Sequence, residues 1–317
     1  MKKRFAFILP YIGKLPDWFQ LWLNSCARNP IADWLLFTDD HSSLVYPENV
    51  KVHYCTFADL RALFQKNFDF TISIDFPYRF CAYKPAYGEI FKEFIADYEF
   101  WGHCDPDLIW GDLKTWFTNP AIGNYDRISH WGHCSLYKNT QEINSLYKNR
   151  IEGIAYYKDV YSQHHHIAFD EEYGMNIITR EVGVKECIIP FFDVKPTIQS
   201  FGFTPTFVSE PFFPDSLTNI VALVSNDGVT VCGINPSGVI EKKKFAYIHL
   251  QKRKMKVDID LDLSKYLIIP NSFIQSQSLN EDILTQLTPG LYSDFFKRKF
   301  LVWKNRCNLL KDYFIFK

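Results

Sequence analysis

Apolar residues in this chain fall into short runs spaced between polar segments. Phe5 to Leu9 forms the first and meets Pro10, while Trp34-Leu35-Leu36-Phe37 forms the second and closes on Thr38-Asp39-Asp40. Val50 to Tyr54 alternates in the manner of a strand. Between the first two runs, Trp18, Leu21, Trp22 and Ser25 recur on one helical face. That spacing predicts a helix over 18–28, capped by Asp17 and stopped at Asn29-Pro30. A second helix is expected over 57–66. A third should carry Pro85 in its first turn and Ile90, Phe91, Phe94 and Ile95 as a core-facing stripe. It leads into a strand, Tyr98 to Cys104, that runs into Asp105-Pro106-Asp107. Alternating strands and helices imply an α/β fold with a mostly parallel, Rossmann-like sheet, which binds ligands beyond the C-terminal ends of its strands.

Further strands are expected from Ile128 to Tyr137 and from Cys187 to Pro190, with polar connections around His164-His165-His166. Phe169-Asp170-Glu171-Glu172-Tyr173-Gly174 should open a helix. Val221 to Val224 and Val229 to Cys232, joined through Asn226-Asp227-Gly228, spell a hairpin, because Asp-Gly tolerates the positive φ angles of a primed turn. Phe245 to Leu250 is another short strand. The stretch 293–317 interleaves Phe295, Phe296, Phe300 and Trp303 with Lys297, Arg298, Lys299 and Lys304. It is a basic amphipathic helix candidate, and its pattern suits an anionic membrane surface as well as packing on the body.

Composition narrows the classes. A hydrophobic fraction of 47% with 17% aromatics is far too apolar for a disordered chain. Lys and Arg number 35 against 36 for Asp and Glu, so no global charge points to a nucleic-acid partner. The eight cysteines are scattered without CxxC spacing, which favours a reducing, cytoplasmic setting over a disulfide or zinc framework. The N-terminal apolar run is too short for a signal peptide, and no run approaches the roughly 18 apolar residues of a membrane span.

Asp105 and Asp107 lie two apart at a strand end, so their carboxylates face the same side and suit one hard divalent cation, Mg²⁺ or Mn²⁺. Such an ion would neutralise a diphosphate and stabilise a nucleoside diphosphate as leaving group. Without further context, a lone Asp-x-Asp is more often a solvated strand-to-loop turn with Pro106 at its centre. Pro10, Tyr11 and Ile12-Gly13 at the first strand's end, with Asp39 or Asp40 nearby, are placed to line a nucleotide base. There is no Gly-rich dinucleotide or P-loop pattern. In Ser129-His130-Trp131-Gly132-His133-Cys134, Gly132 permits close approach of a ring and Trp131 offers a stacking face, with packing as the alternative. Metal binding by His130 and His133 with His103 is a rival, although zinc-site spacing is missing.

The segment 83–113, from Tyr83-Lys84-Pro85 to Asp105-Pro106-Asp107-Leu108-Ile109-Trp110-Gly111-Asp112-Leu113, resembles the GT-A glycosyltransferases. It is similar to family 8 enzymes, in which a basic residue precedes a helix, a strand follows, and the strand ends in Asp-x-Asp-x-x-x-x-Asp-Leu. It is also similar to an uncharacterised group of bacterial polysaccharide-locus glycosyltransferases that share the Lys-Pro, Gly-His-Cys-Asp and His-x-x-Lys-Arg elements. The resemblance implies a GT-A catalytic domain over 1–255 and an extension over 256–317 that includes the basic helix. It implies His249 as third metal ligand and Lys84 with Lys252 or Arg253 on the diphosphate. It also implies His130 and Trp131 near the donor sugar, and Asp170 or Glu171 beneath the acceptor, one of them a general base if the enzyme inverts. The implied donor is a UDP-sugar. The implied acceptor is a glycan or lipid-linked oligosaccharide of bacterial surface polysaccharide synthesis, handled in the cytoplasm or at the inner face of the plasma membrane. A metal-dependent nucleotidyltransferase or phosphodiesterase and a non-catalytic carbohydrate-binding protein are the rivals.

Overall fold

The N-terminal apolar run forms strand β1 (Lys3–Tyr11), followed by β2 (Ala32–Thr38) and β3 (Val50–Tyr54). The computed structural model describes residues 3–165, 167–171, 173–193, 217–251 and 253–288. They divide into two compact units, Met1–Ile189 and Pro190–Lys317.

In the first unit, β4 (Tyr98–Cys104) is followed by the short β5 (Leu108–Trp110), the hairpin β6 (Arg127–Trp131) and β7 (Cys134–Lys138), and β8 (Glu186–Cys187). Seven strands make one sheet in the order β3-β2-β1-β4-β7-β6-β8. Its first four strands are mutually parallel, whereas β7 runs antiparallel to both β4 and β6. The sheet is therefore mixed. The expectation of a mostly parallel sheet holds for the β3-β2-β1-β4 half alone, because β6 and β7 are joined by a tight turn at Gly132-His133 instead of a crossover helix.

Uninterrupted apolar runs mark strands covered on both faces. On one face Phe7 stacks on Trp34 and leans on Trp110, and Trp22 from helix α1 (Phe19–Ala27) meets Trp34 edge-on. On the other face Ala6, Ile8, Leu35, Phe37 and Trp101 join a core with Leu60 and Phe64 of helix α2 (Phe57–Gln65). Each fully buried large side chain of this kind contributes about 1.5–3 kcal/mol. Helix α1 starts later than its acidic neighbour suggests. Asp17 pairs with Lys14 at 2.6 Å and makes no cap, while Trp18, Leu21, Trp22 and Ser25 are buried as expected. Helix α2 is closed by a capping box between Thr56 and Asp59. The expected helix after Pro85 is broken into a 3-10 run, Pro77–Ala86, and two single α turns, Tyr87–Ile90 and Lys92–Ile95. Pro85, which has no N–H to donate, lies before regular α bonding begins.

In the second unit, β9 (Phe192–Asp193) is followed by β10 (Thr218–Ser225), β11 (Gly228–Ile234), β12 (Ile240–Phe245), β13 (Tyr247–His249), β14 (Lys256–Asp258), β15 (Tyr266–Ile269) and β16 (Ser272–Gln275). Six of them form a mainly antiparallel sheet, β12-β11-β10-β15-β16-β14. The expected hairpin is β10-β11, but its turn is not primed: of the turn residues only Gly228 has positive φ, at 98°. A primed turn needs positive φ at its first central residue. The expected strand over 245–250 is divided at Ala246, whose N–H bonds Pro190. No helix among the described residues is long and apolar enough to cross a membrane. Lys252 and the basic segment 293–317 lie outside the described residues.

Candidate functional site

The chain leaves β1 toward β2 and β3 on one side, and β4 adds on the other, so the sheet order reverses between β1 and β4. Crossover connections diverge at such a point and leave a crevice at the strand ends. Here those ends carry Pro10 and Tyr11 on β1 and Asp105 and Asp107 just past β4. Tyr11 is half-buried, and burial first, then the nearby Asp107 and Asp40 carboxylates, raise its hydroxyl above the usual tyrosine range.

Asp105 is anchored by its backbone, whose N–H bonds the His133 carbonyl at 2.9 Å, so the β6-β7 turn is fastened to the end of β4. Lys84 completes the fastening. Its Nζ donates to Asp105 Oδ1 at 2.6 Å and to the Gly132 carbonyl at 2.6 Å, and lies 3.9 Å from Asp170 Oδ2. Burial alone would lower the Lys84 ammonium, and the carboxylates around it, Asp105 foremost, hold it well above its usual range. Asp170 is buried at 6% exposure, and this desolvation pushes its carboxyl up to about 7. The 2.6 Å partnership with Asp105 leaves Lys84 too distant to reverse that rise.

Glu171 Oε1 accepts a 2.6 Å bond from the Gly132 N–H. A Cβ on Gly132 would stand 2.5 Å from the Glu171 carboxyl. The space beside Gly132, read from sequence as room for a sugar ring, is filled by Glu171. Both acidic residues precede the helix Met175–Val182 that they were expected to open, and that helix has no acidic residue in its first turn. Trp131 is 6% exposed, with the His130 ring tilted against it at 4.7 Å and the His133 ring parallel to it at 6.2 Å, so it is packed in the protein. His130 lies 3.4 Å from Glu186, which also pairs with the buried Arg127 at 3.0 Å. Burial would raise Glu186, but His130 and Arg127 bring it down to about 2. His103 is fully buried in β4, and its ring nitrogens meet no hydrogen-bonding partner among the described residues. Burial, helped by Lys84 and Arg127, holds its imidazole well below the usual range, and thus neutral.

Asp39 and Asp40 organise the loop after β1, accepting from the Gly13 and Leu15 N–H groups at 2.7 Å each. Asp112 of the Asp-Leu element caps the helix Leu113–Phe117. Lys84, Asp105, Asp170, Glu171 and Gly132 are therefore brought together in the first unit. His130 and Trp131 lie on β6, next to the turn that bears Gly132.

In the second unit His249 ends β13, and Arg253 is buried with its guanidinium on the Pro270 carbonyl. Asp193 ends the neighbouring β9 directly across from His249, their side chains 3.0 Å apart. Sequence reasoning passed over Asp193, Arg127 and Glu186, whose partners lie far away along the chain.

One family model, described as "Family of unknown function (DUF6625)", matches residues 7–277. No curated protein and no solved structure matches the chain.

Proposed function

The chain belongs to the DUF6625 family, and we propose that it is a metal-dependent glycosyltransferase of the GT-A type that uses a nucleotide diphosphate sugar. The observation that carries the reading is the carboxylate pair Asp105 and Asp107 at the switch point of the sheet, with a buried lysine on one of the two. Asp105 and Asp107, with His249 as the third donor that the resemblance to GT-A enzymes implies, would hold the ion. Two carboxylates and one imidazole fit Mn²⁺, or Mg²⁺ less closely. Lys84 engages Oδ1 of Asp105 and leaves the second carboxylate oxygen for a cation. A divalent ion held there would neutralise the diphosphate of the leaving nucleotide.

The protein's own residues have distinct parts in this proposal. Lys84 sets the orientation of Asp105 and brings positive charge near the diphosphate. Tyr11, on the neighbouring strand end, faces the nucleotide. Glu171, already bonded to the Gly132 N–H, fixes the turn, so Asp170 is the better candidate to meet an acceptor hydroxyl. With its carboxyl at about 7, Asp170 can take up a proton near neutrality. The donor in this reading is a UDP-hexose and the acceptor a glycan or lipid-linked oligosaccharide.

Calorimetric titration of the full chain with UDP in the presence and absence of Mn²⁺ tests the nucleotide and metal together. Affinity for UDP should require Mn²⁺ and vanish in Asp105→Ala and Asp107→Ala, with their circular dichroism unchanged. Release of UDP from UDP-hexoses should be lost in the same variants. Full activity in Asp105→Ala would overturn the metal reading. Release of a nucleoside monophosphate would favour a nucleotidyltransferase or phosphodiesterase instead.

A further inference from the structure

Strands β4 and β7 are antiparallel, with Phe100 opposite Lys138, Gly102 opposite Leu136 and Cys104 opposite Cys134. Two backbone bonds bracket this pairing. The Asp105 N–H donates to the His133 carbonyl at 2.9 Å at one end, and the Asn139 N–H donates to the Glu99 carbonyl at 2.8 Å at the other. Each bond joins the residue just after one member of a cross-strand pair to the residue just before the other. A pair bracketed in this way is the non-hydrogen-bonded kind, with Cα atoms about 4.5 Å apart and side chains at their closest. The two kinds alternate along an antiparallel ladder, so both ends assign Cys104 and Cys134 to the close class.

A disulfide bridges Cα atoms about 4.4–6.8 Å apart, a window that includes this class of pair. Both cysteines are thiols, buried at 1% and 2% exposure. Burial first, then the Cys134 thiol and the Asp105 carboxylate, raise the Cys104 thiol well above its usual range. A protonated, buried thiol attacks slowly, so the pair calls for a small oxidant that can reach it. Cys26 of α1 also neighbours Cys104: burial first, then the Cys104 thiol, raises it. No strand register aligns those two.

We infer that Cys104 and Cys134 are an oxidation site: a peroxide converts them to a cross-strand disulfide that staples the turn bearing Gly132 to the strand end bearing Asp105. One thiol first takes an oxygen from hydrogen peroxide, giving a sulfenic acid and water. The second thiol then attacks that sulfur; the S–S bond forms, the S–O bond breaks and a second water leaves. Two thiols and one peroxide thus become one disulfide and two waters. The inference stands on the β4-β7 register and is independent of the glycosyltransferase reading.

The test exposes the folded, fully reduced chain to graded hydrogen peroxide, blocks remaining thiols with N-ethylmaleimide in urea, and maps the cross-linked peptides by mass spectrometry. The expected product has lost two hydrogen atoms, joins Cys104 to Cys134, and returns to the starting mass with dithiothreitol. It should persist in Cys26→Ser and be absent in Cys104→Ser and Cys134→Ser. The oxidised protein should unfold at higher urea than the reduced one, because the bond closes a loop of about 30 residues in the unfolded chain. Mapping on the wild-type chain decides the matter even where a serine variant fails to fold. A Cys26–Cys104 link, sulfinic acid without a cross-link, or a Cys104–Cys134 link formed only in urea overturns the inference. A lower urea midpoint for the oxidised protein overturns the staple.

Discussion

The Lys84 ammonium donates to the Asp105 carboxylate across 2.6 Å, from a side chain that is 6% exposed. Its third neighbour is the carboxyl of Asp170, itself buried. One cation thus serves two carboxyl groups and the Gly132 carbonyl in the turn after β6.

Removing that cation should be costly. Lys84→Met strands Asp105 beside a buried Asp170 and leaves the Gly132 carbonyl without its donor, and breaking a buried pair from one side costs about 3–5 kcal/mol. We expect Lys84→Met to lower the free energy of urea unfolding by about 3 kcal/mol, since Asp105 keeps some solvent contact. Lys84→Met combined with Asp105→Asn should recover part of that loss. Equal loss in the single and double variants would show that the lysine acts by packing alone.

Glu171 and Gly132 form a second tight pair, testable by steric means. Gly132→Ala places a methyl group 2.5 Å from the Glu171 carboxyl, a distance no side chain tolerates without moving. Overpacking of this kind costs about 1–3 kcal/mol. In the Glu171→Ala background the same methyl group enters space already cleared. The double-mutant cycle should therefore give a coupling of about 1 kcal/mol or more, with Gly132→Ala less harmful when Glu171 is gone. Strictly additive effects on the urea midpoint would reject the packing account.

The sheet was legible where strands are buried on both faces. Tyr98–Cys104 has the bounds expected from its apolar run, because such a strand needs no partner to identify it, and the partly exposed edge strand Val50–Tyr54 was legible from its alternation instead. Short strands such as Lys256–Asp258 and Ser272–Gln275 went unseen, since their polar residues alternate with single apolar ones and their extended form is set by pairing with each other. The site divides in the same way. Asp105 and Asp107 stand together in sequence and are readable as a pair. Lys84, 21 positions before Asp105, was placed only through resemblance to a family. Nothing local announces that Glu171 will bond residue 132, 39 positions away, or that Asp193 will face His249. Those partnerships arise from tertiary packing, and no periodicity encodes them.

Acid should expose the Arg127-Glu186-His130 network. Glu186 titrates at about 2 in the folded chain against an ordinary carboxyl near 4.5. The folded value is depressed, so the stability it contributes is complete above about pH 4.5 and is lost as pH falls toward 2. The size is on the order of 1–3 kcal/mol, allowing for the partial exposure of the carboxylate. Glu186→Gln should unfold at lower urea at pH 7 and show a flatter loss between pH 5 and pH 2.5. Parallel acid curves for the two proteins would remove Glu186 as their source.

Asp170 carries the opposite sign. Its carboxyl is raised from 3.8 to about 7 in the folded, metal-free protein, so the native state holds a proton that the unfolded chain releases. Stability from this group is present below about pH 4 and declines as pH rises, with the loss complete once pH passes about 7. Asp170→Asn keeps the shape and cannot ionise. Its stability relative to wild type should therefore grow between pH 4.5 and pH 8, by an amount on the order of 1–4 kcal/mol. The check is urea unfolding of both proteins in chelator-treated buffers across that range. A constant difference at every pH would mean that Asp170 is ionised throughout, paired with Lys84, and would withdraw it as a group able to exchange a proton near neutrality.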